Sequence, residues 1–188
     1  MKKLIVLTLA LCSISIASAQ TEIAGVNLPD SQNFGNASLT LNGAGTREKF
    51  WMDMYAGGLY LQDKSSDASE IMEADKPMAI KLHIVSKLIT SKRMIDAVNE
   101  GFQNATHENT EPIKPKIKQF ISFFGDPIQK NDVFDIVYLP SEGVVVYKNN
   151  TEKGTITGLD FKKALFGIWL SDEPADEDLK EAMLGNQE

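Results

Sequence analysis

The sequence predicts an α+β domain in which helices pack on one face of an antiparallel sheet, and two observations carry that expectation. Extended and helical segments are grouped instead of alternating, in the order strands, two helices, three strands, helices. Segregated elements of this kind build α+β layers, not a parallel sheet with crossover helices. The chain has 188 residues with no internal repeat, low-complexity linker or second domain, a length that one hydrophobic core can serve.

The first stretch stands outside that domain. Met1-Lys-Lys3 is basic, residues 4–16 are apolar, and Ala17-Ser-Ala19 offers small residues where a signal peptidase reads. This is the pattern of a secretory signal peptide. Cleavage near Ala19 is expected, leaving residues 20–188 as the mature domain, periplasmic or secreted. A membrane-spanning helix needs about 20 apolar residues, and Ser13, Ser15 and Ser18 interrupt the run. Leu11 is too large for the residue before a lipoprotein cysteine, so Cys12 is not read as an anchor. Cleavage would remove the one cysteine, and the formal charge would move from −7 to −9 because Lys2 and Lys3 leave. So acidic a surface argues against nucleic acid or an anionic membrane as a partner.

Residues 21–26 and 38–41 read as short strands, with the polar stretch 29–35 as the loop between them. Next comes Leu41-Asn-Gly-Ala-Gly-Thr-Arg47, followed by the aromatic-rich Phe50-Trp-Met-Asp-Met-Tyr-Ala-Gly-Gly-Leu-Tyr-Leu61. These are two extended segments of one β-hairpin, in which Gly43 and Gly45 permit a bulge. Residues 63–67 form a loop, 68–74 a short helix, and 78–85 a strand in which His83 is half-buried. Thr90 or Ser91 caps an amphipathic helix reaching Ala105, marked by Met94, Ile95, Val98 and Phe102. A second helix carries Ile117, Phe120, Ile121 and Phe124 and closes at Gly125. Strands at 132–139, 143–148 and 155–157 make a meander with turns at Pro140-Ser-Glu-Gly143 and Asn149-Asn150. Asp160 is expected to cap the helix of Phe161, Ala164, Leu165, Ile168 and Trp169, and Pro174 to begin a last helix.

Motifs for common chemistries are missing. There is no Walker-type loop and no Gly-x-Ser-x-Gly elbow, and the two histidines, His83 and His107, are far apart without a ligand pattern. No metal or cofactor is expected, and the acidic run 172–178 reads as a solvated helix start.

The pattern Gly-Ala-Gly-x-Arg, then a strand ending Tyr-Ala-Gly-Gly-Leu-Tyr-Leu, resembles the chalcone isomerase family in its broad sense. That family comprises plant flavonoid-forming isomerases, plant fatty-acid-binding relatives and bacterial chalcone-isomerase-like proteins. Gly158-Leu-Asp-Phe-Lys-Lys-Ala-Leu-Phe-Gly-Ile-Trp-Leu170 is similar to its closing helix, so the resemblance covers roughly residues 22–185. It implies the family's open-faced β-sandwich. In the true isomerases the arginine of this motif steers a phenolate into ring closure, helped by a threonine, a tyrosine and an asparagine. Arg47 matches the arginine, Tyr55 stands at the threonine, and Met94 and Gly101 fall near the other two. Met94 and Gly101 cannot hydrogen-bond through a side chain. Each lost polar contact is worth about 1.5–3 kcal/mol, so flavanone formation is not expected.

An arginine with a tyrosine at the threonine position is what the fatty-acid-binding relatives use to grip a carboxylate. The guanidinium presents a planar fork to the carboxylate, and a phenol adds a hydrogen bond. Phe50, Trp51, Met52, Met54, Met94, Ile95 and Phe102 would then line an apolar pocket for the tail. The expectation is an exported, non-catalytic binder of a small apolar carboxylate such as a fatty acid, held by Arg47 and Tyr55 with Trp51, Met94 and Phe102 beside them. Two alternatives stand. One is an intramolecular lyase or isomerase acting on a phenolic or enone substrate, with Arg47 as electrostatic stabiliser and Tyr55 as proton donor. The other is a module docking onto an envelope protein through the hairpin. A turn at Glu48-Lys49-Phe50 would leave Arg47 and Tyr55 roughly 13 Å apart at the backbone, whereas a bulge or an off-centre turn would bring them together. On the plainest reading, Arg47 closes a surface turn and Tyr55 is a core aromatic.

Overall fold

The computed structural model describes residues 20–186, so the expected signal peptide and Cys12 lie outside the described residues. The strands are β1 (Gln20–Ile23), β2 (Val26–Pro29), β3 (Ser31–Phe34), β4 (Ala37–Lys49), β5 (Met52–Leu61), β6 (Met78–Ile84), β7 (Val133–Leu139), β8 (Gly143–Lys148) and β9 (Thr151–Ile156). The helices are α1 (Ala68–Glu73), α2 (Ser91–Ala105), α3 (Lys114–Ser122), α4 (Leu159–Leu170) and α5 (Glu177–Met183), with a 3₁₀ turn at Glu111–Ile113. Strands β3 to β9 form one seven-stranded sheet in sequence order, and every neighbouring pair is antiparallel. The expected α+β class holds: a curled antiparallel sheet carries the helices on one side. Strands β1 and β2 pair as a separate hairpin.

The two faces of the sheet have separate cores. Against the helices, Leu59, Ile80, Leu82, Phe134, Ile136, Val144 and Val146 pack with Phe102, Phe120, Phe161 and Phe166. On the other face, Leu28 of the small hairpin joins Phe34, Leu39, Leu41, Tyr60, Ala79 and Val137. Helix α4 is buried on nearly every side, as befits an apolar helix inside a layer. Gly101 on α2 lets Ile168 approach so closely that a Cβ there would lie 2.7 Å from its Cγ2.

Several boundaries differ from expectation. The stretch read as the loop 29–35 contains β3, whose Ser31, Gln32 and Asn33 show no apolar alternation and whose anchor is Phe34. Strand β9 starts at Thr151, earlier than 155, because Asn149 and Asn150 both take positive φ and turn the chain in two residues. Gly158, not Asp160, stands at the N-cap of α4. Asp160 instead pairs with Lys116 at 2.7 Å. Asp176, two residues after Pro174, caps α5 by accepting from the Leu179 N–H at 2.9 Å.

Two bulges shape the central hairpin of β4 and β5. In the first, Leu41 pairs with Tyr60 and Gly43 with Leu59, leaving Asn42 as the extra residue. Its buried amide donates to the carbonyls of Ser65 and Met183 and accepts from the Ser65 N–H, tying a loop and the end of α5 to the sheet. In the second, Arg47 pairs with Tyr55 and Glu48 with Asp53, leaving Met54 as the extra residue. The Met54 carbonyl accepts from Val85 and Ser86, which fixes the bulge to the end of β6. The turn itself is Phe50-Trp51, with Lys49 paired to Met52 and φ of +55° and +59° at the two central residues. Side chains with a Cβ lose roughly 1–2 kcal/mol each in that conformation.

Candidate functional site

Gly43 and Gly45 on β4 and Gly57 on β5 leave a bare strip of sheet, and α5 lies on it. A Cβ on Gly43 would run into the Ala182 carbonyl, one on Gly45 would meet the Ala182 Cβ at 2.5 Å, and one on Gly57 the Met183 Cε at 2.8 Å. The Gly-Ala-Gly motif is thus a helix seat. Asp176, the N-cap of α5, lies near enough to Tyr55 to act on its phenol electrostatically.

The Met54 bulge decides the site. The turn falls at residues 50–51, not 48–50, and Arg47 becomes the direct cross-strand partner of Tyr55. The separation of roughly 13 Å expected from an unbulged ladder is corrected to adjacent strands. Directly opposed residues share a face of the sheet, here the helix side, where Tyr55 is packed in the core and Arg47 is half-buried. The indole N–H of Trp169, on α4, donates to the Tyr55 hydroxyl at 2.9 Å. Burial pushes the Tyr55 phenol above its ordinary range, while Arg47 and the Trp169 N–H act in the opposite sense and Asp176 adds to the rise. The phenol is therefore a neutral donor at physiological pH.

Arg47 acts on the Tyr55 hydroxyl both through its charge and as a hydrogen-bond donor, so the two side chains meet. Among the described residues no acceptor takes the Tyr55 proton and no carboxylate lies within ion-pair distance of Arg47. A planar guanidinium beside a phenolic O–H suits an oxyanion.

The other expected site residues are placed differently. Trp51 is 95% exposed at the tip of the hairpin and Phe50 is 72% exposed, so neither lines an apolar pocket. The αL turn swings both side chains off the sheet. Phe102 is buried between Phe120, to which it is edge-on, and Phe161, to which it is tilted, at centroid distances of 6.0 and 5.6 Å. It is a core aromatic whose removal would open the helix layer. Met94 and the bulge residue Met54 are buried in the same core as Tyr55. His83 is half-buried on β6, its pKa lowered by burial and by Lys81. Two surface grooves, of about 580 and 130 Å³, are lined chiefly by α1, α4 and the loop after β5, and neither includes Arg47 or Tyr55. Among the described residues no group of three or more His, Asp or Glu is placed to hold a metal ion, and no helix is long and apolar enough to cross a membrane.

Trp169 and Asp176 escaped the sequence reading of the site. A buried indole needs an acceptor, which signalled that Trp169 would have a partner, but its identity depends on how α4 crosses the sheet.

The curled sheet, the helices on one side and the arginine at the end of a glycine-lined hairpin define a class of α+β proteins with an open-faced β-sandwich. Residues 20–185 match the family model described as chalcone isomerase-like, and the chain belongs to that family. Among solved structures it is similar to a fatty-acid binding protein of Arabidopsis thaliana, with 20% identity and a TM-score of 0.67 over 86% of this chain and 93% of that one. At that identity the likeness establishes the fold. No curated protein sequence matches.

Proposed function

We propose that this chain is an exported, non-catalytic binder of a small apolar carboxylate, a fatty acid being the simplest case. The observation that carries this reading is the Arg47 guanidinium set against the Tyr55 phenol across one rung of the β4–β5 ladder, with no carboxylate on the first and no acceptor for the O–H of the second among the described residues. The carboxylate would sit against both, with the Trp169 N–H and the guanidinium on the phenol oxygen leaving its proton to point outward. The tail would run toward α2, where the flexible thioethers of Met54 and Met94 move aside. That the structurally similar plant protein is a fatty-acid binding protein supports the choice of ligand.

Absence of catalysis is supported by Gly101. The resemblance places an asparagine near this position in the isomerases, and here a Cβ alone would strike Ile168. The basic-apolar-small pattern of residues 1–19 supports export to the periplasm or beyond.

The test is native mass spectrometry of the protein purified from its host, followed by denaturing release of whatever is bound. A carboxylate retained by the wild type and absent from a folded Arg47→Ala variant is the expected outcome. Undiminished retention in that variant would overturn the proposal.

A further inference from the structure

We propose that the tip of the β4–β5 hairpin is a docking element for an anionic phospholipid surface. Four large apolar side chains stand exposed among the described residues, namely Phe50, Trp51, Met52 and Leu88. Three are consecutive on the hairpin turn. The fourth is on the loop after β6, which begins where Val85 and Ser86 donate to the Met54 carbonyl, so all four gather at one end of the molecule.

The backbone supplies a second, independent observation. A two-residue turn with positive φ at both positions is the natural place for Asn-Gly, as Asn149 and Asn150 illustrate elsewhere in this chain. Phe50 and Trp51 occupy the same conformation with the bulkiest of side chains and bury neither. Packing within the molecule gives no reason for them, so their partner lies outside it. Phe and Trp on a rigid turn are suited to the boundary between headgroups and acyl chains, where an aromatic ring is partly desolvated.

The charges around the tip select the kind of surface. The exposed Lys49, Lys87 and Arg93 flank it, against the exposed Glu48 and Asp53. The Lys49 ammonium lies 5.8 Å from the Phe50 ring centroid, and Arg93 donates to the Leu88 carbonyl at 3.0 Å, which holds a cation at the base of the second loop. The sequence-level expectation of repulsion from anionic membranes rests on the net charge of the whole chain. At contact that field is screened beyond about 8 Å at physiological ionic strength, and the local excess of cations decides. This inference goes beyond the ligand proposed above and does not depend on it.

The test is sedimentation with vesicles of equal parts phosphatidylglycerol and phosphatidylcholine, and with pure phosphatidylcholine, using the protein in the form that accumulates in its host. The wild type should bind the anionic vesicles at least tenfold more strongly, with a blue shift in tryptophan emission. The double variant Phe50→Asn, Trp51→Gly, which gives the turn its preferred sequence, should lose binding at least tenfold while melting at a higher temperature. A single Trp51→Asn variant should show an intermediate loss, and it serves if the double variant fails to fold. Failure of the wild type to bind, equal binding to both vesicles, or unchanged binding in the variants would each overturn the proposal. So would a dimer that depends on Trp51 and forms without vesicle binding, which would make the occupant a second copy of the chain.

Discussion

Lys162 is fully buried, and its ammonium donates to the carbonyls of Ile71, Met72 and Ala74 at 2.7, 2.9 and 2.8 Å. It ends α1 from another helix, satisfying carbonyls that α1 cannot satisfy itself, and its charge lies near the Tyr138 and Phe166 rings. Lys162→Met should cost about 3 kcal/mol in urea unfolding, since buried acceptors without donors are expensive. Burial lowers the Lys162 pKa from 10.5 to about 8. Between those values the unfolded chain binds more protons than the folded one, so stability should climb as pH rises from about 8. The Tyr138 phenol, pushed up to about 12 by burial and by Asp75, works the other way, but only above its ordinary 10.0. Melting temperature between pH 8 and 10 should therefore rise in the wild type and stay flat in Lys162→Met. At the candidate site, Asp176→Asn keeps a capping side chain and removes a negative charge that acts on Tyr55. Calorimetric titration with a medium-chain fatty acid should show affinity rising by roughly tenfold, the size of about 1.4 kcal/mol.

The glycine strip and the helix seated on it behave as one element. Gly43→Ala forces a side chain into backbone, Gly45→Ala into another Cβ, and Gly57→Ala against the free end of a methionine. Destabilisation should fall in that order, from about 3 kcal/mol or more at Gly43 to under about 1 kcal/mol at Gly57, as read by chemical denaturation. A different ranking would mean that α5 lifts off the sheet without penalty. The hairpin was recognisable in sequence from its glycines and aromatics, and the seat for α5 was not, because nothing local tells a strand which later helix will lie on it. The turn was misplaced for a related reason. Phe50-Trp51 lacks the Asn or Gly that marks a tight hairpin, so the sequence pointed to the charged residues beside it.

At the scale of the whole molecule, the sheet is covered differently on its two faces, and a buried ion pair belongs to the face away from the helices. Lys81 and Asp135 are cross-strand partners 2.6 Å apart, both buried, with the Phe34 ring centroid 5.6 Å from the ammonium. Removing one charge of such a pair costs about 3–5 kcal/mol, whereas replacing both by apolar groups is often neutral. Lys81→Met should lose stability of that size, and Lys81→Met with Asp135→Leu should regain most of it in the same denaturation series. If the double variant is no better than the single one, the pair contributes more than mutual compensation.

The sequence by itself determined the class of fold, most of its elements and the family, because hydrophobic periodicity and the Gly-Ala-Gly-x-Arg motif are properties of adjacent residues; the polar strand β3 left no such trace. The sequence also supplied Arg47 and Tyr55 as the pair to watch. Only the tertiary structure decided that the two are opposite one another, that Trp51 points to solvent, that Phe102 belongs to the core and that Trp169 holds the phenol. The first depends on one inserted residue, Met54, and the last on the crossing of α4 over the sheet. A bulge shifts register by one and reassigns every neighbour beyond it, and no local pattern in the chain records where that shift is made.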